Sequence, residues 1–330
     1  MPPVRWWAGC STTTTPVAPG CRRAWFSAGF PATAPGKTPR PLRDNKKASR
    51  RIMVSTAEGI ELIAAETARL KDYVRDTGPE QWNLDSPCEG WTVGDVIGHL
   101  GWAAEFFGDA ISNGRSGTTS APQGLPEIGT LAPAEIPDFI ARMAKEYASA
   151  ADADLSAAFT SSVDRLNGIF ASTEGDDWPK ECWSFRGLQP ASNYVTTRVS
   201  EVVIHSWDIR FPSDSEAALA PESVAVVLER LPVWLNSLGL AEFKPSQSPA
   251  RYRFKTTGVA DFQRDVATGG SENKVEDAQG GPTATLTCDA DVLALLVWGR
   301  LKPVQVLADG RLAVSAGTGS GDEFTAWLSR

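Results

Sequence analysis

The chain has only two histidines in 330 residues, and each lies in a helical pattern. His99 occurs in Asp95-Val-Ile-Gly-His-Leu-Gly-Trp102, and His205 in Arg198-Val-Ser-Glu-Val-Val-Ile-His-Ser-Trp-Asp208. At 100° per residue, Tyr194, Arg198, Glu201, His205 and Asp208 fall within about 80° of one another on one helical stripe. A Glu and a His four residues apart present a carboxylate oxygen and an imidazole nitrogen side by side, a donor pair that suits zinc. His99 on a facing helix would supply a third donor. Spacing alone leaves two plainer readings open. Glu201 and His205 could be an ordinary i,i+4 pair on a solvated face, and His99 a hydrogen-bonded core histidine. Asp208 and Arg198 are candidates to stand behind the donors, one orienting His205 and the other fixing Glu201.

Helical periodicity places the elements that carry these residues. One helix is expected over Ser55–Arg75. A second begins at Thr92, with Asp95 completing a capping box, and ends at Asn113-Gly114. Helical patterns resume between Ala132 and Ala171 with a break near Asp152–Asp154. A further helix spans Ala191–Arg210 and stops at Phe211-Pro212. After Pro221 the texture changes. A helix over Ser223–Leu238 precedes strand-like runs at Arg251–Thr257, Phe262–Ala267 and Ala284–Cys288. A helix at Asp291–Gly299, a strand at Val304–Leu307 and a helix at Asp322–Leu328 complete the pattern. The expected class is α + (α+β), a four-helix bundle over residues 53–215 followed by a small α+β unit over 216–330.

Charge divides the chain differently. Residues 1–52 hold ten Lys and Arg and one acid, a net +9, and the rest carries −17. An acidic body argues against nucleic-acid binding, and no apolar run is long enough for a membrane helix. The leader suits either an organelle transit peptide or a start assigned too far upstream, with Met53 the favoured initiator. Five widely spaced cysteines without a CxxC argue against a disulfide framework and for a reducing, cytoplasmic setting. Cys88 has no base near it in sequence and reads as loop packing; Cys182 and Cys288 read as core.

The stretch Ser86-Pro-Cys-Glu-Gly-Trp-Thr-Val-Gly-Asp-Val-Ile-Gly-His-Leu100 resembles the first signature of mycothiol-dependent maleylpyruvate isomerase-like proteins, a branch of the DinB-like four-helix-bundle metalloproteins. Arg198-x-x-Glu-x-x-x-His-x-Trp-Asp208 is similar to their second signature. The run Ala284–Arg300 resembles the sterol-carrier-like domain that accompanies the bundle. The resemblance implies that His99, Glu201 and His205 hold a divalent metal, zinc, with mycothiol as thiol cosubstrate. It further implies thiolate addition to a small electrophilic substrate, leading to cis-trans isomerisation or to S-transfer. One Arg from the C-terminal part would stabilise the charge that develops, with Arg251, Arg253 and Arg300 all open. The alternatives are a thiol S-transferase that detoxifies electrophiles, and a non-catalytic metal- or small-ligand-binding protein.

Overall fold

The computed structural model describes residues 55–151, 154–231, 249–258, 262–270 and 273–317. The basic leader, the Asp322–Leu328 helix and the far end of the Ser223–Leu238 helix lie outside the described residues.

Helix α1 (Thr56–Asp76) starts at a full capping box, Ser55 accepting from the Glu58 amide while Glu58 accepts from the Ser55 amide. A one-turn α2 (Pro79–Trp82) leads into a loop, and α3 (Val93–Arg115) opens at the predicted Thr92–Asp95 box. Helices α4 (Ile136–Ala151), α5 (Leu155–Ala171) and α6 (Ala191–Arg210) follow. Helices α1, α3, α5 and α6 each pack against two of the others, so that the four enclose one core, and α4 lies outside on α3. The helical patterns expected between Ala132 and Ala171, with a break near Asp152–Asp154, are two helices, and these have different partners.

α4 approaches closely because α3 carries glycine on that side. A Cβ on Gly98 would meet the Ala144 carbonyl at 2.5 Å, and one on Gly101 the Tyr147 ring at 2.6 Å. His99, between them in sequence, turns the other way, into the core. Gly114 does not end α3 as expected. The helix runs on to Arg115, and the glycine makes room for Cys182, into which a side chain would collide. Cys182 belongs to a two-residue strand, β1 (Glu181–Cys182), antiparallel to β2 (Gln189–Pro190).

Helix α7 (Pro221–Glu229) joins this helical part to a five-stranded sheet made of β3 (Arg251–Thr257), β4 (Gln263–Ala267), β5 (Lys274–Asp277), β6 (Ala284–Asp289) and β7 (Leu312–Ala316). Their order is β5-β4-β3-β6-β7, with β3 and β6 parallel and the other pairs antiparallel. Alternation decides the faces: Tyr252, Phe254, Leu286 and Cys288 are buried. Helix α8 (Ala290–Val297) follows β6 directly and packs on α7, bringing the sheet part up against α6. The strand expected at Val304–Leu307 is instead part of a short helix, α9 (Pro303–Ala308). Pro303 occupies a first-turn position where its missing N–H costs nothing, Val304 is 62% exposed, and only Val306 is buried. The strand at the sheet edge is β7, which the sequence reading missed.

Candidate metal centre

The stripe on α6 is not solvated. His205 and Asp208 are fully buried, Glu201 is 5% exposed and Arg198 1%, and His99 faces them from α3, also fully buried. Burying so many ionisable groups is costly unless each finds a partner, so their pairing is informative.

One carboxylate oxygen is shared. Glu201 Oε2 lies 3.2 Å from His99 Nε2 and 3.3 Å from His205 Nε2. Donors on a tetrahedral zinc with bonds near 2.0–2.1 Å are separated by about 3.3 Å. The two measured edges match that spacing, and the three donors lie within 4.8 Å of one another. The set fits a divalent ion of borderline softness: two neutral imidazoles and one carboxylate, with a tetrahedral position left over. The imidazoles meet edge to face at 5.3 Å. Trp91 caps His99 at 6.0 Å, and Trp298 caps His205 at 6.1 Å.

The far nitrogen of His205 is also committed. Nδ1 lies 2.7 Å from Asp208 Oδ2, the carboxylate–histidine arrangement that fixes ring orientation and tautomer for a ligand nitrogen. Asp208 is held in turn by Arg300, whose Nε and Nη2 donate to its two oxygens at 2.7 and 2.8 Å. The route to Arg300 is short. Helix α8 ends at Trp298, Gly299 takes a left-handed φ of 69°, and the Arg300 amide donates back to the Leu295 carbonyl. Arg251 and Arg253 are engaged elsewhere, on Asp265 of the sheet. Of the three arginines left open by sequence, Arg300 is the one beside the centre.

Cys88 joins this second layer, against its reading as loop packing alone. It is buried as expected, but its Sγ sits 3.1 Å from Arg300 Nη2 and 3.4 Å from Asp208 Oδ2. Cys88, His205 and Asp208 form a second cluster of potential donors, and the cation lying against it is the Arg300 guanidinium. Arg198 is also placed differently from its expected role. Its Nη1 donates to the Leu100 carbonyl on α3 at 3.1 Å rather than to Glu201.

Electrostatics follow the contacts. Burial alone would raise the Glu201 pKa, but hydrogen bonds from both histidines hold the carboxyl far below its usual range. Burial dominates at His99 and pushes its pKa down to about 4. At His205 burial acts in the same direction but is outweighed by Asp208 and Glu201, so its pKa is raised. Burial would also raise Asp208; Arg300 and His205 reverse that and bring it to about 2. Neutral His99 and ionised Glu201 are the forms a metal needs.

Residues 63–210 match the family model described as the mycothiol maleylpyruvate isomerase N-terminal domain. Among solved structures, that of the mycothiol-dependent maleylpyruvate isomerase superposes with a TM-score of 0.55 at 16% identity, over 82% of this chain and 97% of that one. A histidine-to-alanine mutant of the mycothiol-dependent maleylpyruvate isomerase gives a TM-score of 0.56 at the same identity and coverage. At such identity the likeness speaks for the fold. No curated protein matches the chain.

Proposed function

From the match of residues 63–210 to the mycothiol maleylpyruvate isomerase N-terminal domain family, we propose that this protein is a zinc- and thiol-dependent enzyme acting on a small, electron-poor unsaturated acid. The observation that carries the reading is the convergence of His99 Nε2, Glu201 Oε2 and His205 Nε2 in a buried niche. A zinc ion held by these three residues would supply a Lewis acid that favours the thiolate form of mycothiol near neutral pH.

The chain's own residues do the remainder. Asp208 accepts the His205 Nδ1 proton and keeps Nε2 turned toward Glu201. Arg300 balances the Asp208 charge, so that carboxylate stays ionised. Trp91 and Trp298 stand edge-to-face against the imidazoles and exclude bulk water, which strengthens every charge interaction inside. The thiolate sulfur adds to one carbon of the double bond, and the π electron pair moves onto the conjugated carbonyl oxygen to give an enolate. The former double bond turns as a single bond. Return of the electron pair then expels the thiolate and leaves the trans isomer. Buried guanidiniums favour the enolate that carries the extra charge between these steps. Among the described residues Cys88, Cys182 and Cys288 are buried and in no disulfide, which favours a reducing, cytoplasmic setting, and no helix is long and apolar enough to cross a membrane.

The test pairs metal analysis with turnover. Purified protein should hold zinc that His205→Ala loses, and the zinc-loaded protein should convert maleylpyruvate to fumarylpyruvate only with mycothiol present. Unchanged zinc content in His205→Ala would remove the centre. Full zinc occupancy without isomerisation, but with thiol conjugation of electrophiles, would assign S-transfer instead.

A further inference from the structure

Three arginines of this protein show how it uses a guanidinium fork. Arg300 offers its Nε and Nη2 edge to both oxygens of Asp208, and Arg253 offers the same edge to both oxygens of Asp265, at 2.8 and 3.1 Å. This is the side-on bidentate geometry of carboxylate recognition. Arg198 is the third, and its fork is oriented by a single bond: Nη1 is tied to the Leu100 carbonyl. Its Nε and Nη2 are buried and have no hydrogen-bond partner among the described residues. The edge left over is thus the one the other two arginines use for a carboxylate.

Its position adds meaning. Arg198 lies one helical turn before Glu201 on the same stripe of α6, and the carbonyl it holds belongs to the residue after His99. Its charge is felt at both His99 and Glu201. Arg230, just past α7, adds a second guanidinium in the field of Glu201. It is tied to Thr197 Oγ1 at 3.4 Å, and its Nε also lacks a partner among the described residues. Among the described residues, two carboxylates, Glu201 and Asp208, therefore face three guanidiniums. With a divalent ion added, which rests on the function proposed above, the buried centre holds a surplus of three positive charges. A thiolate neutralises one of them and a dicarboxylate the other two.

We propose that the Nε–Nη2 edge of Arg198 is the carboxylate-recognising element of the site, binding one carboxylate of a small dicarboxylic acid side-on beside the Glu201–histidine centre. Nη1, through Leu100, sets the plane of the fork before the acid arrives, so little ordering remains to be done on binding. An uncharged ester or amide of the same shape would leave this edge unmet and would be rejected.

The experiment is calorimetric titration of the full chain with maleate and with its neutral dimethyl ester, in metal-free and zinc-loaded protein, without thiol. Maleate should bind at least tenfold more tightly than the diester. Arg198→Met should lose at least tenfold in maleate affinity while its diester affinity stays put. Arg198→Lys, a point charge without the fork, should also lose at least tenfold and decides the matter if the methionine variant fails to fold. Equal maleate affinity in wild type and Arg198→Lys, or a wild type indifferent to the charge of the ligand, overturns the proposal. Zinc is measured in every sample. A wild type that takes up no zinc yet binds maleate through Arg198 would defeat the metal reading and leave this one standing.

Discussion

Two buried acids sit in the two halves of this molecule and have opposite surroundings. Asp265 on β4 is fully buried under the side chains of Arg251 and Arg253, and also accepts from the Gln279 amide. Its charge is balanced and its oxygens are saturated by hydrogen bonds that cross β3, β4 and the β5–β6 turn. It is a staple. Glu201 on α6 is buried to a similar degree, but it faces two imidazole nitrogens from α3 and α6 and no guanidinium bonds to it among the described residues. Asp265 has no call for a metal cation, because its arginines supply the positive charge. Glu201 shares its oxygen with two nitrogens at the spacing of a coordination shell. What separates the two acids here is the partner, and burial alone does not distinguish them.

Substitutions can break or sharpen that contrast. The largest effect is expected from Glu201→Gln, which removes the anionic donor. Elemental analysis should find bound zinc reduced to background, with Asp265→Asn retaining the wild-type content. Next comes Asp265→Asn itself, which leaves two guanidiniums facing a neutral amide. Urea unfolding should report a loss on the order of 3 kcal/mol, at the low end for a broken buried pair because both arginines keep some solvent contact. Equal stability would make the staple dispensable. Asp208→Asn stands between the two classes, since it spares the donors but unfixes His205. Competition with a chelator should show zinc held about 10- to 100-fold more weakly. The smallest effect is in acid. The arginines and the Gln279 amide hold the Asp265 pKa below its ordinary 3.8 against the effect of burial. Its stabilisation is therefore complete above pH 3.8 and is lost as the pH falls through the lowered value. Asp265→Asn should flatten that part of the acid-unfolding curve, and an unchanged slope would mean the staple does not titrate there.

How much of this could be read in the sequence varied with distance along the chain. The α6 stripe was legible because helical spacing is local, and Thr92 and Asp95 fixed the start of α3 for the same reason. That His99 meets Glu201 follows from the packing of α3 on α6, which only the two signatures hinted at. Arg300 was one of three equivalent arginines until the left-handed turn at Gly299 and the docking of α8 singled it out. Cys88 looked isolated because its neighbours, Asp208 and Arg300, come from 120 and 212 positions away. Arg198 pointed to Glu201 by spacing, yet α3 offered it a backbone carbonyl. Around residue 304, two valines and a leucine mimicked a strand, and Pro303 was the signal that could have identified a helix start.

The reach of Arg300 across to Asp208 has a consequence for how the two halves can be separated. A fragment ending after α6 would keep all three candidate ligands yet leave the Asp208 carboxylate in an apolar interior without its counter-charge. The sheet half would in turn carry an unmatched guanidinium. Neither half could then be exchanged for that of another protein unless the replacement brought a cation to the same spot. The two halves are coupled through one ion pair as well as by the chain that connects them.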